Sequence, residues 1–427
     1  MYLGIDIGTT STAAIIYDSK TLKPIHIKSK VHNAGSIQPN GHAEQSVSVH
    51  ESTLKKVISE LPEELLKEIK GIGITGQMHG VLFFNDKKES PLYTWQDKRE
   101  GLEKIQKIEG CSKLKDGFGF TTMALVDNKE YTHASTIMDY FVYKMTGQHV
   151  IDETNAASWG LFNLQTGDWD REALKRLGIR QEILPKILKS GSIAGELIKP
   201  EEFNLKTKCK VLVSIGDNQA SIIGCRGKEG SVYISIGTSA QVSMIYDQYV
   251  QSNFNTFEVR PFVDNKFLLV AAILCGGDSF KFLKAHIINM SEMFGNKISD
   301  EEVYKKIDEE GLKELNGENL PIIIPTFLGE RWDVDARGEM KNINLTNFTF
   351  GKISAALSLG LANHLKDCIP SEFYKGKDEI LGNGNSLTRS QTLQKAIEKV
   401  FEKKLVINEG QEEAAVGSAI LASKVIA

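Results

Sequence analysis

Residues 4–18 read GIDIGTTSTAAIIYD, and residues 233–247 read YISIGTSAQVSMIYD. In this register both copies carry a Gly-Thr pair, beginning at Gly8 and at Gly237, and both end in Tyr-Asp. Each copy is an apolar run, a turn and a second apolar run, which predicts a β-hairpin with glycine at its tip. The copies are too far apart for a solenoid repeat, so the sequence predicts two similar domains.

The segment GCRGKEG at residues 224–230 is rich in glycine and charge, and it separates the two copies. We therefore expect an N-terminal domain over residues 1–224 and a C-terminal domain over residues 225–427. Apolar strands alternate with helical patterns in both halves, such as the pattern over residues 49–70 and a last helix from Glu412. This alternation predicts α/β domains with mixed sheets and helices outside them.

The composition is that of an ordinary globular protein, with 25% charged residues and a formal net charge of −4. This charge is small and evenly spread, which argues against binding to nucleic acid or to an anionic membrane. No run approaches the ~18 apolar residues of a transmembrane helix, and the first ten residues do not resemble a signal peptide. The five cysteines lack C-x-x-C spacing, which indicates reduced thiols and a cytoplasmic location.

Glycine–threonine turns at strand ends are typical phosphate-binding elements. Gly8 and Gly237 allow close backbone approach, while Thr9, Thr10 and Thr238 offer amides and hydroxyls to anionic oxygens. The alternative for either turn alone is an ordinary hairpin turn, but the recurrence of the turn favours phosphate binding. A Walker A loop is absent from the sequence, which excludes the fold of the P-loop nucleoside triphosphatases.

Two aspartates lie at the ends of predicted strands. Asp6 is two residues before Gly8 and, by strand alternation, points to the same face. A carboxylate beside phosphate needs a cation between them, so Asp6 is either a residue of a Mg²⁺ site or a turn-capping side chain. Asp217 follows the strand KVLVSIG and precedes a helix, so it is either a helix N-cap or a base that removes a hydroxyl proton.

Polar and glycine-rich clusters follow other predicted strands. In TGQMHG, at residues 75–80, His79 is either a loop histidine or a contact to a sugar hydroxyl. TWQDKRE, at residues 94–100, suits a hydroxyl-rich ligand or, alternatively, a solvated loop with an anchored tryptophan. The junctions LCGGDSF, at residues 274–280, and LGNGNSLTRS, at residues 381–390, would let adenine or ribose approach the backbone closely.

Taken together and in order, these segments resemble the FGGY carbohydrate kinases, which share a clan with actin and the heat-shock chaperone ATPases. The resemblance extends from Gly4 to about Ala422. It is carried by GIDIGTTS, EQS, GITGQMHG, WQDKR, NAASWGLFN, GDNQAS, ISIGTSAQ, PTFLGER, LGNGNSLTRS and AAVGSAI.

The resemblance implies two ribonuclease-H-like α/β domains with mixed sheets around a central cleft, the N-terminal one holding a sugar and the C-terminal one ATP. It also implies that Asp217 is the general base and that Asp6 lies at a Mg²⁺ site. The expected sugar-binding residues are Gln77, Met78, His79, Asp97 and Asn218. The expected ATP-binding residues are Gly8, Thr9, Thr10, Gly237, Thr238, Gly276, Gly277, Gly382 and Asn385.

The same resemblance implies an ATP-dependent kinase that phosphorylates the terminal hydroxyl of a ketose. TWQDKR, GFGF, DETNAASWGLFN and LGERWD are most similar to the branch of the family that acts on sedoheptulose. Asn218 departs from that branch and is typical of the xylulose kinases, which leaves a pentulose as the alternative substrate. Ala13 replaces an arginine of the glycerol kinases, which puts an arginine contact from this hairpin to ATP in doubt.

Two other classes are alternatives: a non-catalytic sensor that binds sugar and ATP, and an actin-like filament protein. The presence of both Asp6 and Asp217 favours catalysis over a sensor, and the clusters TGQMHG and WQDKR have no role in a filament. The expected partner is a small ketose, and a homodimer is left open. The chain is short for the family between the KDCI helix and the LGNGN turn.

Overall fold

The computed structural model of the protein describes residues 1–251, 254–408 and 410–426. The chain divides into two compact units. The first contains Met1–Arg226, Arg260–Lys266 and Gly410–Ala427, and the second contains Gly227–Val259 and Phe267–Glu409. In the sequence, the division after residue 226 lies within the glycine-rich segment GCRGKEG.

The first unit alternates strands and helices along the chain. Its elements up to residue 224 are β1 (Tyr2–Ile7), β2 (Ser11–Asp18), β3 (Lys23–Val31), β4 (Gly35–Ile37), β5 (Ala43–Gln45), α1 (Val47–Ser59), α2 (Glu63–Leu66), β6 (Gly71–Gly76), β7 (Leu82–Phe84), β8 (Leu92–Tyr93), α3 (Leu102–Gln106), α4 (Gly119–Leu125), β9 (His133–Ser135), α5 (Ile137–Thr146), β10 (Val150–Asp152), α6 (Glu153–Ser158), β11 (Phe162–Asn163), β12 (Asp168–Trp169), α7 (Arg171–Arg176), β13 (Lys186–Leu188), β14 (Ile193–Glu196), β15 (Lys210–Leu212), β16 (Ile215–Gly216) and α8 (Asp217–Gly224).

The main sheet of the first unit has the strand order β14-β15-β6-β1-β2-β3. β1, β2 and β3 form an antiparallel meander, while β6 is parallel to β1 and β15 is parallel to β6. β16 pairs in parallel with the end of β6. Because β1, β6 and β16 run in the same direction, the residues that follow them meet at one edge of the sheet.

The elements from residue 227 onward repeat this alternation. They are β17 (Ser231–Ile236), β18 (Ala240–Tyr246), β19 (Glu258–Pro261), β20 (Phe267–Ile273), α9 (Asp278–Met293), α10 (Asp300–Glu314), β21 (Ile322–Ile324), β22 (Glu339–Lys341), α11 (Phe350–Asp367), β23 (Glu379–Asn383), α12 (Asn385–Arg389), α13 (Gln391–Phe401), β24 (Lys404–Ile407) and α14 (Glu413–Ile426). Short 3₁₀ helices lie at Gln181–Ile183, Pro200–Phe203, Val263–Asn265 and Ser371–Tyr374.

The sheet of the second unit has the order β19-β20-β18-β17-β23-β24. Its strands β17, β18 and β20 form an antiparallel meander, and β23 and β24 continue the sheet in parallel. The order β20-β18-β17-β23-β24 therefore repeats the order β3-β2-β1-β6-β15 of the first unit. The predicted repeat is confirmed: its two copies are the hairpins β1–β2 and β17–β18.

The first sheet is covered by helices on both faces. Leu3, Ile5 and Ile72 are buried in a core that also contains Leu54 of α1 and Phe141 of α5. The alternate residues of β1 and β6 point to the opposite face, where α14 packs. The edge of strands that carries Asp6 is therefore held between two helical layers.

The last helix departs from the predicted domain division. The expected C-terminal domain, residues 225–427, included α14, which instead packs on β1, β6 and α8 in the first unit. A Cβ atom on Gly4 would lie 2.0 Å from the carbonyl oxygen of Ala415, and one on Gly73 would lie 2.0 Å from that of Ser418. Glycine is required at this contact because the helix lies directly on the strand backbone.

The helical pattern predicted over residues 49–70 forms two helices and not one. α1 ends at Ser59, and Pro62 is the N-cap of α2. Proline disfavours helical geometry in the residue before it, here Leu61, so the helix cannot continue through this point. Within the part of the chain that the structure describes, none of the helices combines the length and apolar character needed to span a bilayer.

Candidate active site

The carboxyl ends of three parallel strands bring the predicted aspartates together. Asp6 of β1 is aligned with Thr75 of β6, and Gly216 of β16 is aligned with Gly76. Asp217 follows Gly216 directly as the first residue of α8. The two carboxylates, predicted separately from the sequence, therefore lie at the same edge of the first sheet.

Asp217 is partly buried at the start of α8. Its Oδ1 accepts a hydrogen bond from the backbone N of Asn218 at 2.7 Å. Gly216 is the N-cap of α8, so the alternative in which Asp217 is the N-cap does not describe this helix. Burial raises the pKa of Asp217 to about 6, although the Asn218 amide and the charge of Arg260 act to lower it. The group is more basic than an ordinary aspartate.

The carboxyl group of Asp6, in strand β1, has a raised pKa and an oxygen atom that is shielded from solvent. Burial, then the charge of Asp217 and then that of Glu412, raise the pKa of Asp6 to about 8. Its Oδ1 is buried and makes no hydrogen bond to any of residues 1–251, 254–408 or 410–426. A buried oxygen without a donor, close to a second carboxylate, suits a divalent cation that would relieve the repulsion.

The donor set fits a Mg²⁺ ion held jointly with phosphate. Among the described residues, no three His, Cys, Asp or Glu side chains are grouped so that they could hold a metal ion alone. Mg²⁺ does not need such a cage, since it commonly binds one or two carboxylates together with substrate phosphates and retained water. Asp6 and Asp217 therefore fit Mg²⁺ that arrives with a phosphorylated ligand.

Gly216 is fixed by packing and by a buried chain of hydrogen bonds. A Cβ atom on Gly216 would lie 2.6 Å from the Sδ and Cε atoms of Met78, so the Met78 side chain packs directly on the strand end. Gly216 N donates to Thr154 Oγ1 at 2.8 Å, and Thr154 Oγ1 donates to Asp152 at 2.8 Å. These contacts set the direction in which Asp217 leaves β16.

Gln77 connects β6 to the Gly-Thr turn that follows β1. Its side chain is buried, and its Nε2 donates to Gln45 Oε1 at 2.9 Å. Its Oε1 accepts from Thr9 Oγ1 at 3.3 Å, and that hydroxyl accepts from Trp95 Nε1 at 2.9 Å. A residue expected to bind sugar therefore contacts a residue expected to bind phosphate.

His79 has a backbone conformation that few side chains adopt. Its φ of 72° lies in the left-handed region, which costs about 1–3 kcal/mol for a non-glycine residue. Ser158 holds it there, because His79 N donates to Ser158 Oγ at 3.1 Å and His79 Nδ1 lies 2.8 Å from Ser158 O. Strain of this kind is typical of functional positions, which favours the sugar-contact interpretation over a simple loop histidine.

Asp97 is fully engaged by protein groups. Arg99 Nε donates to Asp97 Oδ1 at 2.7 Å and Arg99 Nη2 to Asp97 Oδ2 at 2.9 Å, while Ala43 N donates to Oδ2 at 2.9 Å. Burial acts to raise the pKa of Asp97, but these hydrogen bonds and the charge of Arg99 outweigh it and lower the pKa. Asp97 therefore secures the loop that carries Trp95.

Asn218 differs from Asp97 in having an unused polar atom. Its Oδ1 is buried and, within the described parts of the chain, has no hydrogen-bond partner. An unsatisfied buried acceptor costs about 1–3 kcal/mol. The amide oxygen of Asn218 is therefore suited to accept a hydrogen bond from a ligand hydroxyl.

The second unit places four predicted ATP-binding residues together. Gly277 N donates to Gly237 O at 2.7 Å, and Gly276 N donates to Thr238 O at 2.9 Å. A Cβ atom on Gly277 would lie 2.1 Å from Ser386 Oγ, which itself donates to Gly237 O at 3.1 Å. The turn of β17–β18 thus packs against the start of α9, a 16-residue helix whose first amide, that of Asp278, donates to Thr238 O at 3.2 Å.

The two glycines of the LGNGNS junction have different surroundings. A Cβ atom on Gly382 would lie 2.8 Å from side-chain atoms of Leu387 and Leu405, so this glycine makes room for core packing. Gly384 has a φ of 92°, and a Cβ atom on it would lie 2.5 Å from Ile236 O. Asn385 begins α12 immediately afterwards. Gly384 is therefore the residue of this segment at which the backbone requires glycine.

Comparison with known proteins agrees with this arrangement of strand ends and turns. Residues 1–224, more than half of the chain, match the model of the N-terminal domain of the FGGY family of carbohydrate kinases. The chain belongs to the FGGY family. It is 28% identical to the sedoheptulokinase of Mus musculus, over 98% of this chain and 96% of that protein.

Two xylulose kinases extend the comparison of this FGGY kinase. That of Haemophilus influenzae is 26% identical, over 99% of this chain and 90% of that protein. The solved structure from Rhodospirillum rubrum has a TM-score of 0.86 at 18% identity, covering 100% of this chain and 90% of that one. This structural likeness shows the fold, since the sequence identity is too low to carry more.

The findings confirm several predictions. The protein is an ATP-dependent sugar kinase of the FGGY family. Each half is α/β with a mixed sheet, and the FGGY kinase has the two-domain ribonuclease-H-like fold of its structural neighbours. Both the family and the fold class were predicted from the motifs beginning with GIDIGTTS.

Several residues that shape the site were not predicted from the sequence. Gln45 and Thr154 hold the Gly-Thr turn and the strand end before Asp217, and Phe118 stacks on His79. Gln45 lies within EQS and Phe118 within GFGF, so their segments carried a signal although the individual residues did not.

Proposed function

We propose that this FGGY kinase transfers the γ-phosphate of ATP to the terminal hydroxyl of sedoheptulose, giving sedoheptulose 7-phosphate and ADP. The proposal of a ketose substrate rests on the nearly full-length similarity to the mouse sedoheptulokinase. The proposal of the chemistry rests on one observation: a partly buried carboxylate with a raised pKa, Asp217, lies at the same strand edge as Asp6.

In the proposed reaction Asp217 is the general base. The hydroxyl oxygen of the sugar forms the new P–O bond, the bond between the γ-phosphorus and the β–γ bridging oxygen breaks, and the hydroxyl proton moves to Asp217. With a pKa of about 6, this group is mostly ionised at neutral pH yet holds a proton better than an ordinary aspartate. Its position after Gly216 is fixed by Thr154.

Asp6 would hold Mg²⁺, with Asp217 as the second nearby carboxylate. When bound, the ion supplies positive charge that offsets the charge of the transferred phosphate. Met78, His79 and Asn218 are proposed to contact the sugar, and Asp97 is proposed to support that side of the site by fixing the loop that carries Trp95. The proposed ATP-binding residues are Gly8, Thr9 and Thr10 of the first unit and Gly237, Thr238, Gly276, Gly277, Gly382 and Asn385 of the second.

A pentulose is the second candidate substrate. The observation that favours it is Asn218, whose unsatisfied Oδ1 offers a dedicated contact to a hydroxyl. Such a contact discriminates between sugars far more strongly than pocket volume, because one carbon of chain length is worth only ~1–3 kcal/mol. ATP-dependent phosphorylation of sedoheptulose, xylulose and ribulose, compared by kcat/KM, decides between the two candidates. A non-catalytic sensor would release no ADP with any of them. We also propose a cytoplasmic location, which fits five free cysteines.

The base assignment is tested with Asp217→Asn. General-base catalysis contributes about 10²–10⁴ in rate, so we expect kcat to fall at least a hundredfold with little change in the KM of the ketose. Asp170→Asn serves as the control, because Asp170 Oδ1 caps α7 by accepting a hydrogen bond from Ala173 N. A decrease of less than tenfold for Asp217→Asn would show that another group takes the proton.

A further inference from the structure

The turn after β1 is anchored through its carbonyl groups. Gln45 Nε2 donates to Thr9 O at 2.8 Å. Gly8 O lies 3.2 Å from His32 Nε2 and accepts from Gln77 Nε2 at 3.4 Å. Both carbonyl oxygens of the turn therefore face buried side chains that come from three separate segments of the chain.

The direction of these carbonyls determines the direction of the neighbouring amides. In a trans peptide the C=O and N–H groups point in opposite directions. Anchoring Gly8 O and Thr9 O on the glutamine side therefore directs the N–H groups of Thr9 and Thr10 away from that side. Thr10 is exposed, so these two amides are presented on the open side of the turn, as a phosphate cradle requires.

Gln45 is itself held in one orientation. Its side chain is buried, and its Oε1 accepts from Gln77 Nε2 at 2.9 Å and lies 2.9 Å from His50 Nε2. Burial, and then the nearby His32, lower the pKa of His50 to about 3, so this imidazole is neutral at physiological pH. With Oε1 occupied by these two partners, the Nε2 group of Gln45 is left to point at the turn.

Gln77 uses its amide in the same way. Its nitrogen is shared between Gln45 and Gly8, and its oxygen accepts from the hydroxyl of Thr9. A glutamine whose primary role was to bind sugar would direct its amide groups at the ligand. Here the amide groups are directed at the backbone and side chain of the turn.

We propose that Gln45 and Gln77 are positioning residues for phosphoryl transfer, which hold the turn so that its amides face the phosphate of the nucleotide. This inference rests on the proposed function, and it differs from the sugar-binding role that the family resemblance implies for Gln77. The role proposed for Gln45 follows from its hydrogen bond to Thr9 O and from the two contacts that fix its side-chain amide.

The test uses the full chain and separates kcat from the two KM values. Gln45→Leu and Gln77→Leu remove the anchoring bonds, and Gln45→Glu keeps the acceptor for Gln77 while removing the donor to Thr9. We expect kcat to fall at least tenfold in all three variants, with the KM of the ketose changed less than threefold. Gln181→Leu is the control, because Gln181 Nε2 donates to a distant carbonyl, that of Arg171, at 3.1 Å.

The double variant Gln45→Leu/Gln77→Leu adds a second criterion. If both residues hold the same turn, losing one of them should already release it, and effects on a shared element are not additive. The kcat of the double variant should then be about equal to that of the slower single variant. A rise of more than tenfold in the KM of the ketose for Gln77→Leu, with kcat unchanged, would make Gln77 a sugar ligand and overturn the proposal. Melting curves measured by circular dichroism identify variants that lose their fold. If the leucine variants unfold, the test relies on Gln45→Glu, which changes the shape of the side chain least.

Calorimetry of ATP·Mg²⁺ binding separates this inference from the proposed function. If the wild-type protein phosphorylates none of the ketoses, the proposed substrate class is wrong. The turn is then judged by nucleotide binding alone, which we expect to weaken at least fivefold in Gln45→Glu. Equal binding by Gln45→Glu and the wild type would refute the positioning role independently of any turnover.

Discussion

The imidazole of His79 lies flat on the ring of Phe118, with centroids 4.8 Å apart and planes inclined by 10°. His79 is also held by Ser158 in a left-handed backbone conformation. Gly160 completes the contact, because a Cβ atom on it would lie 2.8 Å from the Phe118 ring. The orientation of His79 therefore depends on residues that are distant in the sequence.

Removing the ring of Phe118 should weaken sugar binding. A stacked aromatic pair is worth about 0.5–1.5 kcal/mol, so Phe118→Ala should raise the KM of the ketose roughly twofold to tenfold and leave the KM of ATP unchanged. Phe118→Tyr keeps the ring and should retain the wild-type value. Identical ketose KM values for Phe118→Ala and Phe118→Tyr would show that the stacked ring does not position His79 for sugar.

The activity should depend on pH through Asp217. The base must be ionised to accept a proton. With a pKa of about 6, Asp217 is ionised in about nine-tenths of the molecules at pH 7 and in about one-tenth at pH 5. We expect kcat/KM for the ketose to fall about tenfold between these values. The residual kcat/KM of Asp217→Asn should not show this decrease between pH 7 and pH 5. A flat profile for the wild type over the same range, with the fold intact, would contradict the assignment.

Asp6 should make the fold less stable as the pH rises. Its pKa is about 8 in the folded protein against an ordinary value of 3.8, so the folded state binds the proton more tightly than the unfolded chain. The associated stability is fully present below about pH 4 and is lost progressively as the pH rises towards 8.

Asp6→Asn removes this loss. The melting temperature of the variant should therefore exceed that of the wild type by a margin that grows from pH 5 to pH 8, while kinase activity is lost. Circular dichroism melts at several pH values measure the margin. A margin that does not change with pH would mean that Asp6 is not the buried carboxyl group that the structure indicates.

The features that could be predicted from the sequence are those set by local pattern. Glycine turns between apolar runs identify the hairpins β1–β2 and β17–β18, and strand direction then brings Asp6 and Asp217 to one edge. Asp97 shows where this reasoning stops. The sequence shows Arg99 two residues later, but only the folded loop shows that this guanidinium takes both carboxylate oxygens.

Contacts between distant segments could not be predicted. Gln45 is 36 residues from Thr9, and its bond to the turn depends on how β5 meets the end of β1. The position of α14 is a second contact that could not be predicted. Its place at the end of the chain suggested that it belongs to the second domain, whereas it packs in the first unit. The signal for its true position was the glycine content of β1 and β6, which leaves no side chain between strand and helix at Gly4 and Gly73.

The packing of α14 on the first unit can be tested with a single methyl group. A Cβ atom on Gly417 would lie 1.8 Å from the carbonyl oxygen of Ala220 in α8, a backbone atom that cannot move aside as a flexible side chain would. Overpacking of this kind typically costs about 1–3 kcal/mol, so Gly417→Ala should lower the urea midpoint of unfolding clearly. Gly230→Ala is the matched control, since its nearest contact would be Asp378 Oδ2 at 3.8 Å. Equal midpoints for the two variants would mean that α14 does not lie against α8, and the assignment of the C-terminal helix to the first unit would have to be withdrawn.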